Sequence, residues 1–381
     1  MFLDVASALV LGLPGASVVL RMARGIRATR IVPAAAAPPA GSISVIVPVL
    51  DEASRIAACL HGLLAGGPEV GEILVVDGGS RDDTLARVRE IGATNPRVRI
   101  IDASPVPAGW NGKAWGLDVG LRASDANALW IATIDADVRP AAGLLAAMVA
   151  HAQARRVDVL SVATRQVLGS PLMAVVHPAM LATLIYRFGL PGREATRVAD
   201  VQASGQCFLA LRALLIAHGA FGSVRASRCE DVTLARSLVA SGVPVGFYEA
   251  GDLVCVKMYD DAGETWRNWP RSLTLRDRFA PFGGWLGLTE VALVQALPLP
   301  LAAGLALAHA TGTLAFDVAA ILTCVRVGVL CGAARAYVQR PWTYWLSPLA
   351  DVPVALALFA SALRRRHSWR GRELVLAETQ Q

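Results

Sequence analysis

The chain of 381 residues is 54% hydrophobic and only 17% charged, with a mean hydropathy of +0.48, a net charge of +6 and a pI of about 9.3. Soluble domains are nearer about 25% charged, so the composition argues against a wholly soluble protein and places part of the chain in lipid. The basic residues border apolar segments, and no zinc or RNA-binding signature accompanies them, which excludes a nucleic-acid-binding face. Six cysteines without a CxxC pair are typical of reduced cytosolic thiols, not of a metal site or disulfides.

The first apolar segment covers residues 1–20 and is followed by four arginines within ten residues. A cleaved signal peptide carries its positive charge before the apolar run, so we predict an uncleaved membrane anchor over 1–22 with its C-terminal side in the cytoplasm. Residues 23–42 are rich in proline and alanine without periodicity, which indicates a linker.

Short apolar runs alternate with helical patterns across residues 43–280, the next predicted domain. Such alternation predicts an α/β domain with a mostly parallel sheet, in which ligands bind beyond the carboxyl ends of the strands. The predicted strands are 43–50, 72–80, 98–104 and 128–137, and the predicted helices are 52–65, 81–93 and 112–124. The aspartates expected at strand ends are Asp51, Asp77, Asp135 and Asp137.

Apolar segments return over residues 281–364, and three of them are long enough to cross about 30 Å of hydrocarbon. They are 284–310, 314–334 and 345–363. We expect Pro298 and Pro300 to kink the first, and Arg326 in the second to face other helices or water.

The basic tail, residues 365–381, favours the cytoplasmic side. Four spans in total would place it outside, so we expect one apolar segment to be interfacial or re-entrant. The proline-broken portion 284–300 is the favoured one, and the apolar helix 171–189 is a further interfacial candidate.

Asp135 and Asp137 follow an apolar run and lie one residue apart. A surface turn is one explanation, because aspartate is common after strands. A site for Mg2+ or Mn2+ is the other, because these cations take few protein ligands and several phosphate oxygens or waters. At alternate positions, one carboxylate can reach a ribose while the other binds the cation.

Three further stretches have both a functional and a structural explanation. Lys113, at a helix N-terminus beside glycines, suits phosphate or base oxygens, or is simply solvated. Glu230 and Asp231 open an amphipathic helix, where they either favour the helix dipole or supply a general base. Tryptophans and arginines alternate over 265–278, which fits an interfacial anchor or a site for a pyrophosphate and a sugar or lipid acceptor.

Five motifs, "ISVIVPVLDE", "EILVVDGGSRDDT", "GWNGKAWGLDVG", "IDADVRP" and "CEDVTLAR", resemble family 2 inverting glycosyltransferases of the GT-A fold over residues 41–275. "GWNGK", "CEDV", "VKMY" and "SWRGREL" are most similar to the membrane-bound branch that glycosylates lipids, with carotenoid- and hopanoid-associated enzymes nearest and ceramide glucosyltransferases more distant.

The resemblance implies a role for each matching position. It assigns donor binding to Pro48, Asp51, Asp77, Lys113 and Asp135, metal binding to Asp137 with Asp135, and the catalytic base to Asp231. "DGGS" replaces the family's double-acid form, and "WRNWPRS" only approximates its Gln-x-x-Arg-Trp motif. Donor-binding roles for Arg267, Trp269 and Arg271 therefore rest on a partial match, and polysaccharide synthesis is disfavoured.

The function expected from the resemblance is the metal-assisted transfer, with inversion, of a sugar from UDP-glucose or a similar donor to a hydroxyl of a membrane lipid. The expected location is the bacterial cytoplasmic membrane, with the catalytic domain on the cytoplasmic side and a lipid-facing acceptor tunnel lined by 171–189 and 265–285. Two alternatives stay open. One is a polyprenyl-phosphate glycosyltransferase whose extra cationic groups are Arg267, Arg271, Arg276 and Arg278. The other is a non-catalytic membrane protein with a nucleotide-binding GT-A domain.

Overall fold

The computed structural model describes residues 2–25, 28–227, 229–275, 277–279, 283–364, 366–369 and 372–375. The chain divides into two compact units. We call residues 1–28, 167–190 and 259–367 the helical unit, and residues 29–166, 191–258 and 368–381 the sheet unit. The predicted basic tail lies outside the described residues, apart from strands Arg366–Trp369 and Arg372–Val375, which pair with each other.

Apart from the pair Arg366–Trp369 and Arg372–Val375, the strands of the sheet unit that the structure describes form one large sheet and one small sheet. Their strands are β1 Ile43–Val49, β2 Val70–Asp77, β3 Val98–Asp102, β4 Trp130–Ile134, β5 Val138–Pro140, β6 Val159–Ala163, β7 Arg165–Gln166, β8 Arg193–Ala195, β9 Cys207–Leu211, β10 Val245–Glu249 and β11 Val254–Val256. The large sheet has the order β3-β2-β1-β4-β9-β6-β10-β8, and the small sheet has the order β5-β11-β7.

The first four strands of the large sheet, β3, β2, β1 and β4, are parallel to one another. β9 then runs antiparallel to both β4 and β6, and β8 runs antiparallel to β10. The prediction of a mostly parallel sheet is confirmed. Because β1, β2 and β4 point the same way, the residues that follow them meet at one edge of the sheet.

Helices connect the strands and form most of the helical unit. They are α1 Phe2–Ala23, α2 Ile56–Leu64, α3 Thr84–Gly92, α4 Gly112–Ala123, α5 Leu144–Arg155, α6 Met173–Phe188, α7 Arg212–Ala217, α8 Glu230–Ala240, α9 Ala262–Leu273, α10 Gly283–Val291, α11 Pro298–Leu307, α12 Leu314–Ala333 and α13 Asp351–Leu363. α2 and α3 begin later than predicted, because the residues before them hydrogen-bond to each other across two loops.

Both faces of the large sheet are covered, as expected for strands whose side chains are almost all buried. On one face, side chains of β1 and β2 pack with α2 and α5; on the other, they pack with α4 and α8. α4 approaches β1 closely at Gly120, where a Cβ would lie 2.5 Å from Cγ2 of Ile46. A larger residue there would push the helix that carries Lys113 away from the sheet.

Among its described residues, the helical unit has four helical segments that are long and apolar enough to cross a membrane, namely 4–23, 284–307, 314–336 and 342–363. The second continues through a π-helical turn, Ala292–Ala296, which ends two residues before Pro298. Proline cannot donate a backbone hydrogen bond, so the wider turn accommodates it without ending the helix. The interfacial placement of 284–300 stays a prediction.

Arg326 lies inside the third apolar segment, and its surroundings confirm that it faces other helices. Its guanidinium donates to both carboxylate oxygens of Asp351, at 2.7 and 2.9 Å, and to Oγ of Ser347 at 3.1 Å. Gln295 donates to the same carboxylate at 2.8 Å and to the carbonyl of Ala179 at 2.9 Å. One buried ion pair therefore joins three apolar segments and α6.

Candidate active site

The aspartates after β4 lie in a tight turn at the carboxyl edge of the sheet. The N–H of Val138 donates to the carbonyl of Asp135 at 3.1 Å, and the N–H of Asp135 donates to the carbonyl of Gln206 at 3.1 Å. The predicted strand extended to Asp137, but β4 ends at Ile134. Both acids therefore lie beyond the strand. The turn and the segment before β9 fix the position of the pair.

Lys113 brings this turn together with the start of α8. Its ammonium lies 2.7 Å from Oδ1 of Asp135 and 3.0 Å from Oε1 of Glu230. The side chain of Asn111 caps α4 by accepting a hydrogen bond from the N–H of Lys113 at 2.9 Å, and its amide donates to the carbonyl of Ser227 at 2.8 Å. The lysine backbone is thus tied to the segment that leads into Glu230.

Asp231, the predicted base, lies beside this cluster and is half-buried. The N–H of Gly205 donates to its Oδ2. A Cβ at Gly205 would lie 2.8 Å from the Lys113 ammonium and 3.1 Å from Oδ2 of Asp231, so glycine permits the close approach of this backbone. A small cavity is lined by Lys113, Thr133, Gly205, Phe208, Phe221, Glu230 and Asp231.

Burial and the neighbouring charges together shift the pKa values of the cluster. Burial raises the pKa of Asp231 to about 6, helped by Glu230 and opposed by Lys113. Burial also raises the pKa of Asp135 and that of Asp137 to about 6 each. Burial lowers the pKa of Lys113, but the carboxylates of Asp135 and Glu230 outweigh it and raise that pKa well above its ordinary value. Shifts of this kind are frequent at functional sites.

The sequence pointed to Glu230 only together with Asp231, as a helix-dipole residue or a general base, and not to Gly205. Glu230 opens α8 and is 5% exposed. Its acidic position in the first turn resembles ordinary helix stabilisation, which hid its contact with Lys113. Gly205 has no side chain, so only the structure shows that its N–H binds Asp231 and that its backbone lies close to Lys113.

Asp51 and Asp77, the other predicted donor-binding acids, organise two neighbouring loops. Asp77 accepts hydrogen bonds from the N–H groups of Gly79 and Ser80, each at 3.1 Å. Asp51 adopts a left-handed conformation with φ of 56° and accepts from the N–H of Arg81 at 2.8 Å. Pro48 is half-buried near the end of β1. Their donor-binding roles stay predictions.

Arg267, Trp269 and Arg271 lie on α9 of the helical unit. Arg267 is exposed, whereas Trp269 is 7% exposed and its ring lies 4.1 Å from that of His177 on α6. The two segments proposed to line an acceptor tunnel therefore pack against each other at this point. Arg276, the further cation considered for a phosphate acceptor, lies outside the described residues.

The carboxylates after β4 fit the divalent cation that the resemblance implies. Oδ1 of Asp137 is buried without a hydrogen-bond partner in the described structure. An acceptor in that state is costly unless a cation or donor reaches it. No group of three or more His, Cys, Asp or Glu side chains among the described residues is arranged to hold a metal. Two carboxylates are sufficient for Mg2+ or Mn2+ when phosphate oxygens and waters complete the shell.

Comparison with protein families gives one match. Residues 44–214 match the model of the family described as "Glycosyl transferase family 2". The matched residues contain the loops after β1, β2 and β4, together with Lys113 and Gly205, and they end before Glu230. No curated protein matches the chain in sequence.

Comparison with solved structures gives similar folds at low identity. The mannosyltransferase PcManGT from Pyrobaculum calidifontis, in complex with GDP-Man and Mn2+, is 20% identical with a TM-score of 0.57, over 94% of this chain and 96% of that one. TarS from S. aureus is 17% identical with a TM-score of 0.42, over 66% of this chain and 42% of its own. Glucosyl-3-phosphoglycerate synthase from Mycobacterium tuberculosis, with Mn2+, UDP and phosphoglyceric acid, is 19% identical with a TM-score of 0.41, over 68% and 80%.

The match over residues 44–214 and the likeness to PcManGT confirm the fold predicted from the sequence. It is the GT-A fold, a mostly parallel sheet with flanking helices, accompanied by apolar helices near the N-terminus and in the C-terminal region that are long enough to span a membrane.

Proposed function

We propose that the protein is a metal-assisted glycosyltransferase that transfers a sugar from a nucleotide-sugar donor, UDP-glucose or a near relative, to a hydroxyl of a membrane lipid, with inversion at the anomeric carbon. The observation that carries this proposal is the cluster of Lys113, Asp135, Glu230 and Asp231 at the carboxyl edge of the sheet. Donor-binding groups and a candidate base are thereby adjacent.

Asp231 is the proposed general base. Its carboxylate takes the proton of the acceptor hydroxyl while the hydroxyl oxygen attacks the anomeric carbon, and the bond to the nucleotide diphosphate breaks on the opposite face. A pKa raised to about 6 suits this task, because the group is ionised at neutral pH yet basic enough to accept a proton. The N–H of Gly205 holds the carboxylate in one orientation.

Asp137 and Asp135 are the proposed ligands of Mg2+ or Mn2+, which when bound neutralises the charge that develops on the leaving diphosphate. Lys113 contributes a second positive charge beside Asp135. Asp51, Asp77 and Pro48 belong to the loops proposed to hold the nucleoside.

A lipid acceptor is supported by the helical unit. Its four long apolar helical segments favour location in a membrane, which we propose to be the bacterial cytoplasmic membrane, with the sheet unit on the cytoplasmic side. α9 combines the exposed Trp266 with Arg267 and Arg271, a composition typical of a membrane interface. We propose that α6 and α9 line the path of the lipid.

The test of this function is the release of nucleoside diphosphate from UDP-glucose and from GDP-mannose by the purified chain, with Mn2+ and bacterial lipid extract. Release should require both the cation and the lipid. Mass spectrometry of the lipids should then show one added hexose. Addition to a polyprenyl phosphate would select the phosphate-acceptor alternative, and nucleotide binding without any transfer would select the non-catalytic one.

Asp137→Ala should abolish metal-dependent donor binding, because the cation and the diphosphate bind together. Calorimetry with UDP and GDP in the presence of Mn2+ measures the loss. Asp125→Ala, an acid in the exposed loop before β4, is the control and should bind as the wild type does. Equal nucleotide affinity with EDTA and with Mn2+ in the wild type would contradict the metal assignment.

The raised pKa of Asp231 predicts an acidic limb in the pH profile. The base works only when ionised, so kcat/KM should be constant above about pH 6 and fall by about tenfold per pH unit below it. Saturating Mn2+ keeps Asp135 and Asp137 ionised over this range, since a bound cation favours charged ligands. A flat profile at saturating metal, from about 1.5 pH units below that pKa to about one unit above it, would remove Asp231 from the role.

A further inference from the structure

The Lys113 ammonium occupies a position that conflicts with a bare cation. It contacts Asp135 at 2.7 Å and Glu230 at 3.0 Å, and its side chain is only 18% exposed. Asp135 is also a proposed ligand of the divalent cation. A positively charged ammonium and a divalent cation at the same carboxylate repel each other strongly in a partly dry site. The lysine contact must therefore weaken when the metal binds.

The structure leaves the lysine a way to move without unfolding. Its backbone is fixed by the Asn111 cap of α4, whereas the ammonium is carried on a flexible four-carbon stem. Glu230, 5% exposed, offers a second carboxylate 3.0 Å from the ammonium. A diphosphate entering this edge would offer a third negative partner, of the kind that lysines and helix N-termini bind.

We propose that Lys113 couples the nucleotide and the cation: it pairs with Asp135 and Glu230 when the site holds no nucleotide, and a nucleoside diphosphate draws it away and frees Asp135 for the metal. Glu230 is the positioning residue that shares the ammonium with Asp135. This inference rests on the proposed function for its nucleotide. The expected weak binding of the cation without nucleotide depends only on the side chains of Lys113, Asp135 and Glu230.

We expect Lys113 to weaken the binding of Mn2+ alone and to strengthen the coupling between Mn2+ and the nucleoside diphosphate. In the wild type, Mn2+ alone should bind weakly, and UDP or GDP should tighten it by at least about fivefold. Lys113→Met should bind Mn2+ alone more tightly than the wild type, because the competing charge is gone, and the diphosphate should then tighten it less. By linkage, the tightening of nucleotide by Mn2+ should shrink by the same factor.

Electron paramagnetic resonance of free Mn2+, titrated into the full chain in detergent with and without UDP or GDP, measures both affinities. Lys113→Arg keeps the charge and should retain the weak binding of Mn2+ alone. Arg122→Met removes a charge from the same helix, where the arginine is 68% exposed and paired with Asp118, and should change nothing. Lys113→Gln serves as the neutral variant if the methionine variant does not fold.

Glu230→Gln gives a test of opposite sign. Without its carboxylate the ammonium pairs with Asp135 alone, so Mn2+ alone should bind more weakly than in the wild type. In a Lys113→Met background the same change should have little effect, which separates action through the lysine from a long-range field effect.

Two outcomes decide between the proposals. If neutral variants at 113 bind Mn2+ alone no tighter than the wild type, the coupling role is overturned. If neither UDP nor GDP tightens Mn2+ in any variant, the proposed function loses its donor, while the comparison with Mn2+ alone still decides the role of Lys113.

Discussion

Asp231→Asn should lower kcat by about 10²- to 10⁴-fold, the usual contribution of a general base. Asparagine has nearly the same shape and can still accept the hydrogen bond from the N–H of Gly205, but it cannot take a proton. The surrounding backbone should therefore keep its arrangement. Sugar transfer to extracted lipid, followed under saturating donor and acceptor, measures the loss.

Donor binding should survive the same substitution. Lys113 contacts the carboxylates of Asp135 and Glu230, so the cluster proposed to meet the donor should stay in place. Calorimetry with UDP or GDP and Mn2+ should give affinities within a few fold of the wild type, about 1 kcal/mol at most. A fall in affinity as large as the fall in kcat would mean that Asp231 binds donor instead of activating the acceptor.

Asp118→Asn is the matched control. Asp118 is buried in the sheet unit, 5% exposed, and burial raises the pKa of its carboxyl as it does for Asp231. Asp118 pairs with Arg122 on the same helix and lies outside the cluster. Its variant should keep the wild-type kcat. Loss of activity in both variants would point to a general effect of removing buried carboxylates.

The residues of this site that could be located from the sequence are mainly those at the ends of strands. Apolar runs predicted β1, β2 and β4 to within a few residues, and parallel strands bring their carboxyl ends to one edge. Asp77 at the end of β2 and Asp135 after β4 were located in this way. Lys113 was placed correctly at the start of α4 because an asparagine and glycines precede a helical pattern.

The loops before α2 and α3 show why the helix starts were predicted too early. Glu52 donates through its N–H to Oγ1 of Thr84 at 2.8 Å, and Ala53 donates to Oδ2 of Asp82 at 3.1 Å. These bonds join two loops about 30 residues apart in sequence, so no local pattern reveals them. They tie the segment before α2 to the loop before α3 and shape the edge beside Asp51.

Neither the antiparallel direction of β9 nor the contact of Lys113 with Glu230 could be predicted from local sequence patterns. β9 inserts between β4 and β6, and the segment before it supplies the carbonyl of Gln206 and the N–H of Gly205 to the two acid motifs. Its apolar residues look like those of any buried strand. Direction and neighbours depend on the closed sheet, so these parts of the site are visible only in three dimensions.

In the helical unit, the sequence identified Arg326 as a residue that needs a partner but not the partner itself. Asp351 lies 25 residues further along and begins α13, where an acid is unremarkable. The two side chains are each 3% exposed, so the pair is fully withdrawn from solvent. The size of the effect on breaking it follows from that burial.

Arg326→Leu should lower the free energy of unfolding by about 3–5 kcal/mol, because it leaves the Asp351 carboxylate buried without its cation. The thermal unfolding midpoint in detergent should fall by several degrees, as expected for a loss of that size. Val327→Ala, at an exposed position one residue further along α12, should change the midpoint little.

The double variant Arg326→Leu with Asp351→Leu tests whether the ion pair itself, or only its balance, stabilises the helical unit. Replacing both members of a buried pair by apolar side chains is often neutral or stabilising, whereas removing one is costly. The double variant should therefore recover most of the lost stability, although Gln295 and Ser347 lose their charged partners. If the double variant unfolds as early as Arg326→Leu, the cost lies in those remaining polar groups, and Arg326 acts mainly by satisfying the hydrogen bonds of the helices around it.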